Sequence, residues 1–132
     1  ITFINDSKAT SLQATKSALS SSKNIYWILG GLPKKKDKIN LKHLRNNIIK
    51  SYIIGKNISF FQKQLKKKVQ FSISKNLKKA IIMALKDIRL LNTSNNTILL
   101  SPGAASFDQY KNFESRGNDF KKLSKLYVKK LI

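Results

Sequence analysis

One stretch of the sequence, residues 101–117, combines residue types that point to a ligand rather than to an ordinary surface helix. It reads SPGAASFDQYKNFESRG, so small residues come first, and an aromatic residue, acids, an amide and an arginine follow. Small side chains let a backbone approach a bound molecule closely, and hydroxyl or N–H groups beside them can hold its charged atoms. We therefore predict that a bound molecule sits against these small residues.

Two further segments have a similar character. DSKAT at 6–10 offers an acid, a cation and hydroxyls, and GGLPK at 30–34 offers two glycines and a lysine. Each follows an apolar run that is typical of a buried strand, as does SPGAASF at 101–107. Because ligands of open parallel sheets bind at the carboxyl ends of the strands, we expect these three loops to converge there.

Each segment alone also has a plain structural interpretation. Asp6 and Ser7 can cap a helix, Gly30 and Gly31 can form an ordinary turn, and Lys34–Lys38 can be a solvated basic loop. Residues 102–105 can be tight packing near a sheet edge. Each loop alone is a weak indication of a binding site, and only the three loops together are a specific one.

Complete catalytic machinery is not visible in the sequence. There is no GxxxxGK[ST] phosphate loop, no GxGxxG and no cysteine, and we expect the single histidine, His43, to lie on a helix surface. No metal site is predicted. The chain therefore lacks the parts of a complete ATP-using enzyme.

Strand-like apolar runs alternate with helical spacing along the chain. Strands are predicted at 2–5, 25–30, 52–55, 69–73 and 97–101. Helices are predicted at about 11–20, 41–51 and 57–65, from a cap at Ser74 or Asn76 through Leu91, in the tail, and directly after SPGAAS. Buried strands separated by helices indicate an α/β fold, a Rossmann-like open and mostly parallel sheet with helices on both faces. Residues 1–132 are expected to form a single domain without an internal repeat.

The net charge of +21 has two possible explanations. A nucleic-acid-binding surface is one, but such surfaces usually recruit Arg, and only Arg45, Arg89 and Arg116 are present. Lys is scattered and accompanied by abundant Asn and Ile, which favours compositional drift towards AT-rich codons. We expect non-specific attraction to polyanions and no specific nucleic acid, and we keep a small basic nucleic-acid-binding module as the alternative function.

The sequence also suggests a location. No apolar run approaches the ~18 residues of a membrane span, and the first residues do not resemble a signal peptide. The chain does not begin with Met, so we expect it to be trimmed from a longer protein. We expect a cytoplasmic monomer.

The three loops together carry a family resemblance. FINDSKAT at 3–10, YWILGG at 26–31 and ILLSPGAASFDQYKNFESRGNDF at 98–120 resemble the C-terminal domain of the Mur ligases, in order and spacing. Within that family they are similar to the members that add D-glutamate. The resemblance covers essentially the whole chain, and its specific signals are DSKAT and the SFDQ–NFE–RG segment.

The resemblance implies an enzyme of three domains, of which this chain is the last. The two other domains bind the UDP-sugar and hold the phosphate loop with Mg²⁺. ATP phosphorylates the carboxylate of UDP-N-acetylmuramoyl-L-alanine, D-glutamate attacks the acyl phosphate, and the product enters peptidoglycan synthesis, with cell-wall biogenesis, cell shape and cell division as the implied roles. The isolated domain is expected to be inactive.

The resemblance also assigns roles to single residues. Asp6 is similar to the acid that contacts the nucleotide ribose, and Lys8 to the catalytic lysine that reaches the ATP phosphates. The positions implied for D-glutamate are Thr10, Lys34, Ser106, Phe107 and Phe113. Phe113 would act mainly through its backbone N–H, and Lys35 and Lys36 remain alternatives to Lys34.

Some positions depart from the family pattern. Ser11 stands where the family usually has Asn, Gly103 replaces a usual Ala, and Tyr110 replaces a usual Phe. A sibling Mur ligase that adds another amino acid is the second alternative, although those siblings have different C-terminal signatures.

Overall fold

The computed structural model describes residues 1–132, and its centre is one five-stranded sheet. The strands are β1 Thr2–Asn5, β2 Ile25–Gly30, β3 Ile48–Ile54, β4 Phe71–Lys75 and β5 Thr97–Leu100. All neighbours pair in parallel in the order β1-β5-β2-β3-β4. The predicted α/β class with an open parallel sheet is confirmed.

Four helices cover this sheet, and each buries one face. They are α1 Leu12–Ser21, α2 Ile58–Leu65, α3 Leu77–Leu91 and α4 Phe113–Leu131. α1 and α2 pack on one side of the sheet, where Trp27 and Leu99 lie in the core. α3 and α4 pack on the other side, against Tyr26 and Ile98. No helix has both the length and the apolar character that crossing a bilayer requires.

Polar side chains fix where the helices begin. The Ser11 hydroxyl accepts a hydrogen bond from the Ala14 N–H at 3.2 Å, so Ser11 caps α1. Asn76 caps α3 in the same way through the Lys79 N–H at 2.9 Å. Asp6 and Ser7 therefore do not cap α1, although their residue types allowed this role.

The helix predicted over 41–51 is wrong. Residues 45–47 form a single 3₁₀ turn, and Ile48 already begins β3. Leu41 and Leu44 are buried, as the spacing required, but they reach the core from an irregular segment. Pairing of β3 with β2, which joins Ile48 to Ile25, outweighs the local helical spacing because it satisfies the backbone of two β-branched residues within the sheet.

The helix expected directly after SPGAAS is also wrong. A single turn follows, in which the Tyr110 N–H donates to the Ser106 carbonyl at 2.7 Å, and α4 begins only at Phe113. Asn112 caps α4 by accepting from the Ser115 N–H at 2.8 Å. Residues 105–112 thus form a loop with a single turn rather than a helix, and they cross the edge of the sheet where the candidate site lies.

Candidate functional site

The three loops predicted to converge are joined to one another by hydrogen bonds. The Gly103 N–H donates to the Ala9 carbonyl at 2.9 Å, which links the 101–107 loop to the 6–10 loop. Leu32 and Ala105 exchange N–H to carbonyl bonds at 2.9 and 3.0 Å, which links the 30–34 loop to the 101–107 loop. The convergence at the carboxyl edge of the sheet is confirmed.

The connection from Ala105 to Asn112 runs across the whole edge. The Asp108 carboxylate lies 3.4 Å from the Lys56 N–H, directly after β3. The Gln109 amide donates to the carbonyl of Lys75, the last residue of β4, at 3.0 Å. The chain then returns to the 6–10 loop, where the Ser7 hydroxyl donates to the Phe113 carbonyl at 2.7 Å. One segment therefore ties together the loops of every strand at this edge.

Most of the small residues in the 101–107 loop pack against other parts of the protein. Pro102, Gly103 and Ala104 are all buried. A Cβ on Gly103 would lie 2.8 Å from Leu12 Cδ2, and a Cβ on Gly31 would lie 2.3 Å from the Ala105 carbonyl oxygen. The prediction that these small residues admit a ligand is thus wrong for 102–104, because neighbouring loops occupy that space. The tight-packing interpretation holds there.

Asp6 and Lys8 lie on the side of the loops nearest to β1. The Asp6 carboxylate accepts a hydrogen bond from the Ser101 hydroxyl at 2.7 Å, and buried Trp27 holds the Ser101 carbonyl through its indole N–H at 2.7 Å. Lys8 is exposed. Its side chain borders a cleft of about 220 Å³ that Phe113 also lines. Asp6 is thus held in place, whereas the Lys8 ammonium is available to an anion.

Ser106 and Phe113 offer hydrogen-bond donors without partners. Ser106 is 2% exposed, and its hydroxyl makes no hydrogen bond. The N–H groups of Phe113 and Glu114 also lack a partner, since they belong to the first turn of α4. The oriented amides expected after SPGAAS are therefore present, but they lie at Phe113. A helix N-terminus favours negative charge, so these donors suit a carboxylate.

Thr10 and Lys34 approach the start of α1 from two loops. Thr10 directly precedes the cap Ser11, and the chain after Lys34 is held there because the Asp37 carboxylate accepts from the Leu12 N–H at 2.8 Å. Lys34, Lys35 and Lys36 are all exposed. Phe107 is 69% exposed and makes no hydrogen bond to the other candidate residues.

Arg116 is the residue that sequence analysis passed over. It is 1% exposed, and its guanidinium donates to the Ser7 hydroxyl at 2.9 Å, the Ser7 carbonyl at 2.7 Å and the Ala104 carbonyl at 3.0 Å. Burial lowers the pKa of Arg116 to about 10, with Asp108 and Tyr110 opposing the shift, so the group stays charged at neutral pH. The available signal was an arginine directly beside a glycine in a chain whose cations are nearly all Lys. A Cβ on that glycine, Gly117, would lie 2.7 Å from the amide nitrogen of Asn5.

Two other features bear on cofactors. No three histidine, aspartate or glutamate side chains converge to hold a metal ion. The largest open cleft, about 610 Å³, lies near the amino ends of β3 and β4 beside Lys50, Lys67 and Lys68, away from the three loops.

Comparisons with known proteins place the chain in a family. It is 48% identical to the UDP-N-acetylmuramoylalanine–D-glutamate ligase of Agrobacterium fabrum over 120 aligned residues, and this alignment covers 91% of the chain. It is 40% identical to the enzyme of the same name from Rickettsia felis over 131 aligned residues, and this alignment covers 99% of the chain. The chain spans about a quarter of the length of these relatives, 26% and 29% respectively. No family model matches. The chain belongs to the Mur ligase family, where it corresponds to the C-terminal domain of the D-glutamate ligases.

Proposed function

We propose that this chain is the amino-acid-binding domain of an ATP-dependent ligase that joins D-glutamate to UDP-N-acetylmuramoyl-L-alanine during peptidoglycan synthesis. The observation that carries the proposal is the identity of 40–48% to ligases of that name over nearly the whole chain. In this proposal residues 1–132 form a single domain that does not catalyse the reaction alone. The protein is a monomer in the cytoplasm.

D-glutamate carries two carboxylates, and the chain supplies donors at separated points. A dicarboxylate needs a cation and fixed hydroxyl or N–H donors to hold both of its ends. In this proposal Lys34 provides the charge, Thr10 and Ser106 provide hydroxyls, and Phe113 provides its unpartnered N–H. Phe107 contributes apolar surface beside Ser106. The buried and unpaired Ser106 hydroxyl supports this assignment because a ligand oxygen would satisfy it.

The nucleotide lies on the other side of the same loops. Asp6, held by Ser101, accepts hydrogen bonds from the ribose hydroxyls, and the exposed Lys8 ammonium meets the ATP phosphates and the charge that develops during phosphoryl transfer. ATP and Mg²⁺ would be held mainly by parts of the ligase outside this chain, since it has neither a phosphate loop nor a cluster of three metal-binding side chains.

In the proposed reaction, ATP converts the substrate carboxylate to an acyl phosphate. The amine of D-glutamate attacks this carbonyl, and phosphate leaves to give the amide. The role of this chain is to hold the amine in position and to help exclude water when the domains close. Orientation of this kind contributes up to roughly 7–11 kcal/mol in favourable cases.

The test is phosphate release by the whole ligase that contains this chain. It receives ATP, Mg²⁺ and UDP-N-acetylmuramoyl-L-alanine, with D-glutamate, L-glutamate, L-lysine or diaminopimelate added in turn. We expect release with D-glutamate only. Release with another amino acid would move the chain to a sibling ligase, and no release with any of them would overturn the proposed function. Phosphate release by residues 1–132 alone would contradict the claim that the domain is inactive by itself.

A further inference from the structure

Ser7 occupies an unusual position between the two proposed subsites. It is 4% exposed, and its neighbours in sequence, Asp6 and Lys8, are the residues proposed to meet the nucleotide. Its hydroxyl accepts a hydrogen bond from Arg116 Nε at 2.9 Å and donates one to the Phe113 carbonyl at 2.7 Å. One small side chain thus connects the nucleotide loop to the first residue of α4.

Arg116 makes this connection rigid. All of its hydrogen bonds go to neutral oxygens, two of them on Ser7 and the third on Ala104, and no carboxylate lies within ion-pair distance. Burying a charge without a counter-ion is costly unless its hydrogen bonds are well formed. The guanidinium therefore holds the Ser7 loop and the Ala104 loop in one fixed arrangement relative to α4.

The bond to Phe113 also sets the position of a proposed substrate donor. The Phe113 carbonyl is tied to Ser7, while the N–H of the same residue is free at the start of α4. A shift of the Ser7 hydroxyl would therefore move the Phe113 N–H, and it would move Asp6 and Lys8 as well, because they flank Ser7 in the chain.

From this geometry we infer that Ser7 is a positioning residue that couples the nucleotide subsite to the D-glutamate subsite. The inference rests on the proposed function. Ser7 touches neither substrate in this scheme, and it acts through Arg116 and Phe113. Its loss should therefore affect both substrates together, whereas loss of a residue that contacts one substrate affects that substrate alone.

The experiment measures KM for D-glutamate and for ATP in the whole ligase with Ser7→Ala. Removing the hydroxyl leaves buried Arg116 Nε without a partner and releases the Phe113 carbonyl from the Ser7 loop, so we expect both KM values to rise by about tenfold. Ser7→Thr, which keeps the hydroxyl, should restore both values to within about threefold of the unmodified enzyme. The matched control is Ser124→Ala on α4, because Ser124 is equally buried but its hydroxyl has no partner, and both KM values should stay unchanged.

Thermal melting checks that each variant is folded. If Ser7→Ala does not fold, Ser7→Cys fills the same space with only a weak donor and should show the same joint rise. Equal KM values in the Ser7 and Ser124 variants, or a rise for one substrate only, would overturn this inference while leaving the proposed function intact. Absence of D-glutamate-dependent phosphate release in the unmodified ligase would instead overturn the proposed function and this inference with it.

Discussion

Three buried serine hydroxyls have no hydrogen-bond partner, those of Ser51 within β3, Ser106 and Ser124. Each is at most 3% exposed, so each leaves a polar group unsatisfied at a cost of about 1–3 kcal/mol. Ser106 lies in the loop at the carboxyl edge, while Ser124 lies in α4, about three turns beyond its first residue. A ligand at the edge would offset the cost at Ser106 alone.

Ser106→Ala in the whole ligase should raise KM for D-glutamate by about tenfold, because the proposed hydrogen bond to a substrate carboxylate would be lost. KM for ATP should change much less. Lys34→Ala should act in the same direction through loss of the cation. Steady-state phosphate release at varied D-glutamate and at varied ATP gives both constants. Wild-type kinetics for Ser106→Ala would show that the pocket assignment is wrong, and Ser124→Ala serves as the control.

Lys8→Ala should lower kcat by about a hundredfold and leave D-glutamate binding less affected, because in the proposed reaction the ammonium meets charge that develops at the phosphates. Single-turnover phosphate release measures this step. Lys23→Ala is the matched control, since Lys23 is equally exposed but lies just before β2, at the opposite edge of the sheet. A rise in KM for D-glutamate without a fall in kcat would contradict the role of Lys8.

Among the elements, β3 and α3 are joined by a polar network on the face opposite α1. Asp87 of α3 accepts hydrogen bonds from the Tyr52 hydroxyl at 2.7 Å and from the Lys50 ammonium at 2.9 Å. Burial, and next the hydrogen bond to Asp87, raise the pKa of Tyr52 far above its ordinary value of 10.0. The network therefore stabilises the packing of α3 only while Tyr52 keeps its proton.

The stability of the chain should consequently fall above about pH 10 in a way that depends on Tyr52. The unfolded state loses the Tyr52 proton near the ordinary pKa of 10.0, while the folded state retains it, so the contribution is present at lower pH and is lost as the pH rises. Tyr52→Phe should cost about 1 kcal/mol at pH 7 and should flatten this alkaline decline. Urea unfolding at pH 7, 10 and 11 measures both effects.

The control for this experiment is Tyr127→Phe, because Tyr127 is only partly buried and its hydroxyl makes no hydrogen bond to the protein. Its alkaline decline should match that of the unmodified chain. An equal decline in Tyr52→Phe and the unmodified chain would show that the Tyr52–Asp87 contact does not link the fold to pH.

At the scale of the whole molecule, most of the basic side chains have no acidic partner. All five aspartates accept hydrogen bonds within the fold, and only Glu114 has no partner. Among the 27 lysines and arginines, Arg116 is buried and Lys50 forms an ion pair with Asp87, and the others have no carboxylate within ion-pair distance. The lysines occur on the helices of both faces, which favours drift over a dedicated binding surface.

Duplex DNA should therefore bind weakly at about 0.02 M salt and be released by about 0.15 M, because charge alone drives the contact. Fluorescence anisotropy of a labelled duplex at the two salt concentrations measures this. Binding that persists at the higher concentration, or that depends on the DNA sequence, would favour the nucleic-acid-binding module over a ligase domain with excess charge.

Much of this molecule follows from local patterns in the sequence. The unbroken apolar runs 25–30 and 97–100 are buried strands because parallel strands lie between helices on both faces, and the apolar spacing of Leu77–Leu91 is that of an amphipathic helix. Those patterns, with the polar loops that follow the strands, were sufficient to predict the fold and the edge where the loops meet. DSKAT and SFDQ–NFE–RG were sufficient to indicate the family.

Other features depend on contacts between residues that are far apart in sequence. Ile48 and Lys50 pair with Ile25 and Tyr26 of β2, so this segment joins the sheet although the spacing of its apolar residues is helical. Residues 102–104 packed against the protein rather than a ligand because Leu12 and Arg116 fill that space. The bonds of Ser7 to Phe113 and Arg116 span 106 and 109 residues, and no local pattern encodes such contacts. The spacing of apolar residues predicts which side chains are buried, whereas only the tertiary structure determines which buried groups contact one another.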